Sequence, residues 1–300
     1  LAAVQMAMAD FEAAAASYTQ AVQINPMDIN GNFSLAIALS SMGAYQPAIQ
    51  TYSRVLELEP RHWKAAFNRG LLHQKLNDSA AAVEDFKWVL QLQPGEKSAY
   101  YSLGLSLRRL EKYDEALEAF QRVMDADPAH ADAYNSCGST LAAMGQYQAA
   151  IYLYEKALKI NPLLGEAYLN MGLALYDLKR YEEALDCYQK VLSFGGAPAD
   201  VYYHMANALN ELRRHAEAIG FYEQALAQGY DTPEMRLNQV TAYSHQGDKQ
   251  KTVQLLQEFV ADHPDHVDAH IALSDGYRQL NQYTLAVECA ERVLQMRPGM

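Results

Sequence analysis

Proline returns every 34 residues along most of this chain, and that beat limits what it can fold into. Pro26, Pro60, Pro94, Pro128 and Pro162 keep it, Gly196 and Tyr230 occupy the next two beats, and Pro264 and Pro298 resume it. A fixed period of this length marks a stacked array of like-sized units, each burying its apolar side against its neighbours, rather than a single-core domain. With the periodic proline as the thirty-second residue of each unit, full units run 29–62, 63–96, 97–130, 131–164, 165–198, 199–232, 233–266 and 267–300. Residues 1–28 are then the last part of an earlier unit, and no insertion or deletion is needed across the 300 residues.

Other columns hold the same phase. The eighth position is small in most units (Ala36, Gly70, Gly104, Gly138, Gly172, Ala206), and the twentieth is Ala48, Ala82, Ala116, Ala150, Ala184, Ala218 and Ala286, with Thr252 the exception. The twenty-fourth is a ring: Tyr52, Phe86, Phe120, Tyr154, Tyr188 and Tyr222. Tyr45, Tyr113, Tyr147, Tyr181 and Tyr283 mark the seventeenth. Within a unit the apolar residues fall at positions 4, 7, 8 and 11, then at 20, 24, 27 and 28, and both sets follow helical spacing. Between them lie Gly43, Gly145 and Gly247, or Asn77 and Asn281, residues that end helices. Each unit therefore reads as helix–turn–helix, and its proline stops the second helix.

Two units depart from the pattern. The joints SFGGAPAD (193–200) and AQGYDTPE (227–234) lack the proline on its beat. Gly195 and Gly229 read there as helix-ending glycines, and Pro198 and Pro233 as starts of the next helix. Unit 233–266 also loses its signature, with Val240, Thr252 and Leu256 in the small and ring columns. These joints are either drift in a tolerant array or places where the superhelical pitch changes.

The columns resemble the tetratricopeptide repeat family over the whole chain, most clearly in AYYSLGLSLRRLEKYDEALEAFQRVMDADP (99–128) and AYLNMGLALYDLKRYEEALDCYQKVL (167–192). The resemblance implies an all-α fold: an α-solenoid wound as a right-handed superhelix, whose concave groove is lined by the first helix of each unit. It also implies a binding role and carries no activity of its own. In the family the groove is built from positions 2, 5, 6, 9, 12 and 13. Carried onto this sequence, those columns give Phe33, Lys64, Phe67, Asn68, Tyr101, Arg108, Arg109, Asn135, Asn170, Tyr203, Asn207 and Asn238 as groove candidates. The asparagines could pair with the amides and carbonyls of an extended peptide, since each side chain both donates and accepts. The aromatic residues would anchor it, and Lys64, Lys75, Arg108 and Arg109 could receive a carboxylate. Carboxylates take the second position from Asp132 onward (Glu166, Asp200, Glu234, Asp268), where the helix dipole favours them. One chaperone-binding subclass of the family clamps a C-terminal carboxylate with Lys at position 5, and no unit here supplies it.

Net charge is −12, from 36 acidic and 24 basic residues, which disfavours nucleic acid and anionic membrane surfaces as partners. No apolar run is long enough to span a bilayer. Cys137, Cys187 and Cys289 sit in packing columns and read as unpaired thiols, favouring a reducing compartment and a cytoplasmic location. No phosphate-binding loop, dinucleotide fingerprint, nucleophile elbow or zinc-protease motif occurs. In DHPDHVDAH (262–270), His266 and His270 have metal-ligand spacing, but His270 occupies a packing column. The carboxylate pairs Glu84–Asp85 and Glu182–Glu183 fall on the solvent side of second helices. The expectation is thus a non-enzymatic scaffold without metal or cofactor, binding an extended peptide or helix of a partner. The substrate-recognition arm of a larger enzyme, such as a protein glycosyltransferase, and a self-assembly module acting through uncapped ends are the alternatives. Because the sequence enters the repeat in mid-helix, it reads as a segment of a longer protein.

Overall fold

The computed structural model describes residues 2–196 and 198–297, and they form helices, turns and no strand. After α1 (Ala2–Ala7) and α2 (Phe11–Ile24), each unit supplies two helices. These are α3 (Ile29–Ser41) and α4 (Tyr45–Leu58), α5 (Trp63–Lys75) and α6 (Ser79–Leu92), α7 (Lys97–Arg109) and α8 (Tyr113–Ala126), and α9 (Ala131–Ala143) and α10 (Tyr147–Ile160). The series continues with α11 (Gly165–Asp177) and α12 (Tyr181–Ser193), α13 (Ala199–Glu211) and α14 (His215–Ala227), α15 (Pro233–Gln246) and α16 (Lys249–Asp262), and α17 (Val267–Gln279) and α18 (Tyr283–Met296). The helices gather into two compact units, Leu1–Pro162 and Leu163–Met300. Each is a stack of helical hairpins, an α-solenoid in which a helix packs on its sequence neighbours. Among the described residues no helix is long and apolar enough to cross a membrane.

The proline beat acts through the residue before it. Glu59, Gln93 and Asp127 close α4, α6 and α8 at φ −135°, −135° and −146° with ψ near 80–90°, outside the helical region that a following proline disfavours. Where the beat lacks proline, α12 and α14 are followed by Gly195 (φ +78°) and Gly229 (φ +86°). Pro198 then stands immediately before α13. Pro233 opens α15 behind Thr232, whose Oγ1 accepts the Met235 amide at 3.2 Å.

Every hairpin turn uses one left-handed residue at the fifteenth position: Ala9, Gly43, Asn77, Glu111, Gly145, Lys179, Arg213, Gly247 and Asn281, at φ between +58° and +89°. Glycine suits that conformation and asparagine tolerates it, but Glu111, Lys179 and Arg213 hold it at a steric cost.

In the hairpins whose position 8 is glycine, the ring at position 24 lies against it. A Cβ built on Gly104 would stand 2.6 Å from Phe120, and one on Gly138 would stand 2.7 Å from Tyr154. The position-20 alanines from Ala48 to Ala218 and the rings from Phe86 to Tyr222 are buried. Burying each ring contributes about 2–3 kcal/mol. One carboxylate expected at the surface is instead inside. Glu84 is exposed, whereas Asp85 is buried and held by a fork from Arg69 (Nε to Oδ2 2.9 Å, Nη2 to Oδ1 2.6 Å). The same guanidinium donates to Ser53 Oγ at 2.8 Å, so one ion pair ties α4, α5 and α6. The solvent-side reading failed because Arg69, which neutralises the charge, comes from the preceding helix.

The turn geometry generates a test. Glu111→Gly and Arg213→Gly should each raise stability by about 0.5–1 kcal/mol, while Gly145→Ala should lower it by about 1 kcal/mol. Urea denaturation followed by circular dichroism checks both signs.

Candidate functional site

In each compact unit the first helices of successive hairpins approach one another: α5 meets α7 and α7 meets α9 in the first, while α11 meets α13 and α13 meets α15 in the second. The second helices do not come as close to each other. The first helices therefore line the tighter, inner side of each stack. Polar groups stitch that side together. Gln74 Nε2 donates to the Ser102 carbonyl (2.7 Å) and Ser106 Oγ (2.7 Å), Arg109 Nη1 donates to the Gln74 carbonyl (3.0 Å), and Tyr101 Oη lies 3.2 Å from Ser136 Oγ.

The first unit repeats one aromatic geometry along this wall. Phe33 packs on Tyr52 at 5.8 Å and 58°, Phe67 on Phe86 at 5.7 Å and 59°, and Tyr101 on Phe120 at 5.9 Å and 58°. The inner ring of each pair is half-buried and backed by a buried one. His62 and His130 pack at a tilt on Phe33 and Tyr101, and their Nδ1 atoms accept the Ala65 and Ala133 amides. Around these rings Lys64 and Arg109 are exposed and Arg108 is half-buried. Lys75 is exposed too, its ammonium 4.5 Å from the Tyr45 ring centroid. Asn135 departs from the expected groove inventory: on α9 it is 3 % exposed, presenting almost nothing to a ligand.

The asparagines have internal partners. Asn68 Nδ2 donates to Tyr52 Oη at 3.3 Å. In the second unit Tyr222 Oη donates to Asn207 Oδ1 at 2.6 Å, and Asn238 Nδ2 donates to both Asn207 Oδ1 (3.2 Å) and Tyr203 Oη (3.3 Å). Asn170 is half-buried on α11, and Tyr203 is buried. The sequence carried an unread signal for this. Asparagine stands at position 6 after three of the five units whose ring is tyrosine (Tyr52 then Asn68, Tyr154 then Asn170, Tyr222 then Asn238), while Ser34 follows Tyr18 and His204 follows Tyr188. Serine stands there after phenylalanine (Phe86 then Ser102, Phe120 then Ser136). A buried phenol needs a hydrogen-bond partner and a phenyl ring does not. Burial pushes Tyr52 up to about 12, against the opposing hydrogen bond from Asn68.

Unit 233–266, which lacks both the position-17 tyrosine and the position-24 ring, opens a recess of about 400 Å³ between α15, α16 and α17. Val240, Thr252 and Leu256 form its floor, and His245, Lys249 and Asp275 stand at its rim. The nearby histidines are structural: His266 Nδ1 accepts the Ala269 amide, and His270 is buried with Nε2 3.0 Å from the Pro264 carbonyl.

Comparisons with known proteins agree with this architecture. A model of the tetratricopeptide repeat matches residues 33–96, 67–131, 101–163 and 237–300, and two further models of the same repeat match 165–194 and 199–227. No curated protein matches the chain. A crystal structure of MamA is 28% identical, with a TM-score of 0.51 over 53% of this chain and 93% of that one. YrrB, described as a TPR protein with an unusual peptide-binding site, is 21% identical, with a TM-score of 0.55 over 61% of this chain and 94% of that one. A tetratricopeptide repeat protein from Parabacteroides merdae is 14% identical, with a TM-score of 0.63 over 83% and 98%. At the latter two identities the likeness is one of fold.

Two tests follow from these side chains. Asn68→Ala and Asn238→Ala each strand a phenol or amide partner and should cost about 1–2 kcal/mol in urea unfolding. Among the thiols, burial pushes Cys137 up to about 11, and burial followed by Asp186 and Glu183 pushes Cys187 up to about 12. Both are unpaired. At pH 8 their alkylation by iodoacetamide should be at least about a hundredfold slower in the folded chain than in concentrated urea, and slower for Cys187 than for Cys137, given an unfolded thiol near pKa 8.5. Because the folded values are raised, the stability linked to these thiols is full below that unfolded value. It is lost as pH climbs toward 11–12, which a urea midpoint measured at rising pH would show.

Proposed function

The chain belongs to the tetratricopeptide repeat family, and from that premise we propose that it is a non-enzymatic protein-interaction scaffold whose inner walls hold extended segments of partner proteins. Members of the family generally serve as non-catalytic scaffolds, and the fold exposes wall rather than enclosing a reaction chamber.

The observation that carries the reading is the ring ladder of the first unit. Phe33, Phe67 and Tyr101 each offer a half-buried edge braced from behind by the position-24 ring, so a ligand meets rigid apolar surface that loses little freedom on binding. Covering that surface yields about 25 cal/mol per Å². Lys64, Lys75, Arg108 and Arg109 border the ladder and suit carboxylates. The segment that fits this unit is therefore extended and apolar, with acidic residues interspersed. Asn68, Asn207 and Asn238 contribute by fixing the wall through their tyrosine partners; their remaining hydrogen-bonding capacity is available to a peptide backbone.

A random peptide library displayed on phage and selected on the whole chain tests the proposal. Acidic–apolar segments should be enriched. The combined variant Lys64→Glu with Phe67→Ser should weaken them at least about tenfold, a loss of about 1.4 kcal/mol, with helicity unchanged. Glu84→Lys, on the exposed face of a second helix, should leave them unaffected. Absence of any enriched segment, or undiminished binding to the double variant, would overturn the reading.

A further inference from the structure

Among the described residues, two of the three buried polar atoms without a hydrogen-bond partner belong to the second unit, on residues that each neighbour His204. Tyr188 is 0 % exposed and its Oη has no partner, and Asp200 Oδ1 is likewise buried and unpaired. The other tyrosines of this column show what is missing. Tyr52, Tyr154 and Tyr222 reach Asn68, Ser139 and Asn207, residues at position 6 of the next unit or position 9 of their own. For Tyr188 those two places hold His204 and Leu173. Leucine offers nothing, and His204 stacks its face on the phenol ring (centroids 5.9 Å apart, 27°) rather than pointing a ring nitrogen at the oxygen.

The surroundings of this hydroxyl are acidic and aromatic. Asp200 sits one turn before His204 on α13, and the charges of Asp200 and Glu234 both act on that imidazole. Tyr203 contacts His204 at 5.3 Å and stacks on Tyr230 at 5.1 Å and 29°. Besides burial, the charge of Asp177 at the end of α11 acts on the Tyr188 hydroxyl, and that of Glu211 acts on Tyr176. The inner columns of α11, α13 and α15 thus carry Glu166, Asp177, Asp200, Glu211 and Glu234, and no lysine or arginine. An anion is repelled here. Among the described residues no three His, Cys, Asp or Glu side chains are grouped to hold a metal ion.

We propose that the wall formed by α11, α13 and α15 binds an arginine side chain of a partner segment, whose guanidinium takes the place of the His204 imidazole, donates to Tyr188 Oη and Asp200 Oδ1 and lies beside the Tyr203 ring. A guanidinium has five donors in a plane and no acceptor, which matches two orphaned acceptors flanked by rings. The half-buried His204 turns outward and yields its place over Tyr188 to the ligand. The inference rests on the reading of the inner walls as peptide-binding surfaces. It gives the second unit a partner chemistry opposite in sign to that of the first, where the cations are.

Fluorescence anisotropy on the whole chain tests it, with three fluorescein-labelled peptides in which alanine alternates with arginine, glutamine or glutamate. The arginine peptide should bind at least about tenfold more tightly than the glutamine peptide, and the glutamate peptide should not bind at this wall. Tyr188→Phe, which removes only the orphaned oxygen, should weaken the arginine peptide about threefold to tenfold while leaving the thermal midpoint equal or higher. Asp200→Asn should weaken it about tenfold, and His204→Ala should strengthen it. Equal binding of arginine and glutamine peptides would overturn the proposal. So would an arginine affinity unmoved by both Tyr188→Phe and Asp200→Asn, since attraction to net charge alone would then suffice. Peptides selected on the first unit serve in parallel. If they bind and depend on Phe67 while the arginine peptide does not bind, this inference alone fails; if neither binds, the scaffold reading fails with it.

Discussion

Most of this molecule depends on one contact, the insertion of a ring from the second helix of a hairpin against a small residue of the first, made in the units from 29–62 to 199–232. Phe86, Phe120, Tyr154 and Tyr188 press on Gly70, Gly104, Gly138 and Gly172 so closely that a side chain there would collide with them. That closeness sets the distance between the two helices, and the position-20 alanines maintain it on the facing side. With the hairpin spacing fixed, the apolar side left over can be satisfied only by the next hairpin. Stacking and an inner wall of first helices follow from it.

The same ring also determines what the wall presents. A phenyl ring at this position needs no polar companion, and Leu71 and Leu105 take position 9 in the units that carry Phe86 and Phe120. A phenol carries its hydroxyl through to the inner face and calls for a polar companion, as Asn68 and Asn207 supply. Core and wall are therefore not separate layers. Residues that look like ligand readers from one side are, from the other, hydrogen-bond partners of the packing ring.

The fold was legible because its signals recur with fixed phase: proline, the small columns, the ring and the turn residue are each repeated along the chain, so a single deviation does not hide them. The wall was legible only in part. Phe33, Phe67 and Tyr101 are half-buried on first helices, whereas Asn135, from a column that the family's pattern assigns to the groove, is buried. Asp85 likewise left the surface because Arg69, 16 residues earlier, supplies the opposite charge. The unpaired hydroxyl of Tyr188 could be found only by reading three columns together, since no column is anomalous by itself. Side-chain partnership across helices has no periodic trace strong enough to be seen one position at a time.

The left-handed residue in every turn has a consequence for how such an array comes apart. Where glycine occupies it, the hairpin closes without strain; where Glu111, Lys179 or Arg213 does, that hairpin carries a penalty of about 1 kcal/mol that a glycine-turned hairpin does not. In a chain whose cooperativity passes only between adjacent elements, such local penalties do not average out. They mark where melting nucleates, so the array is segmented by its turns into stretches of unequal durability, and the strained hairpins are the ones that fray first.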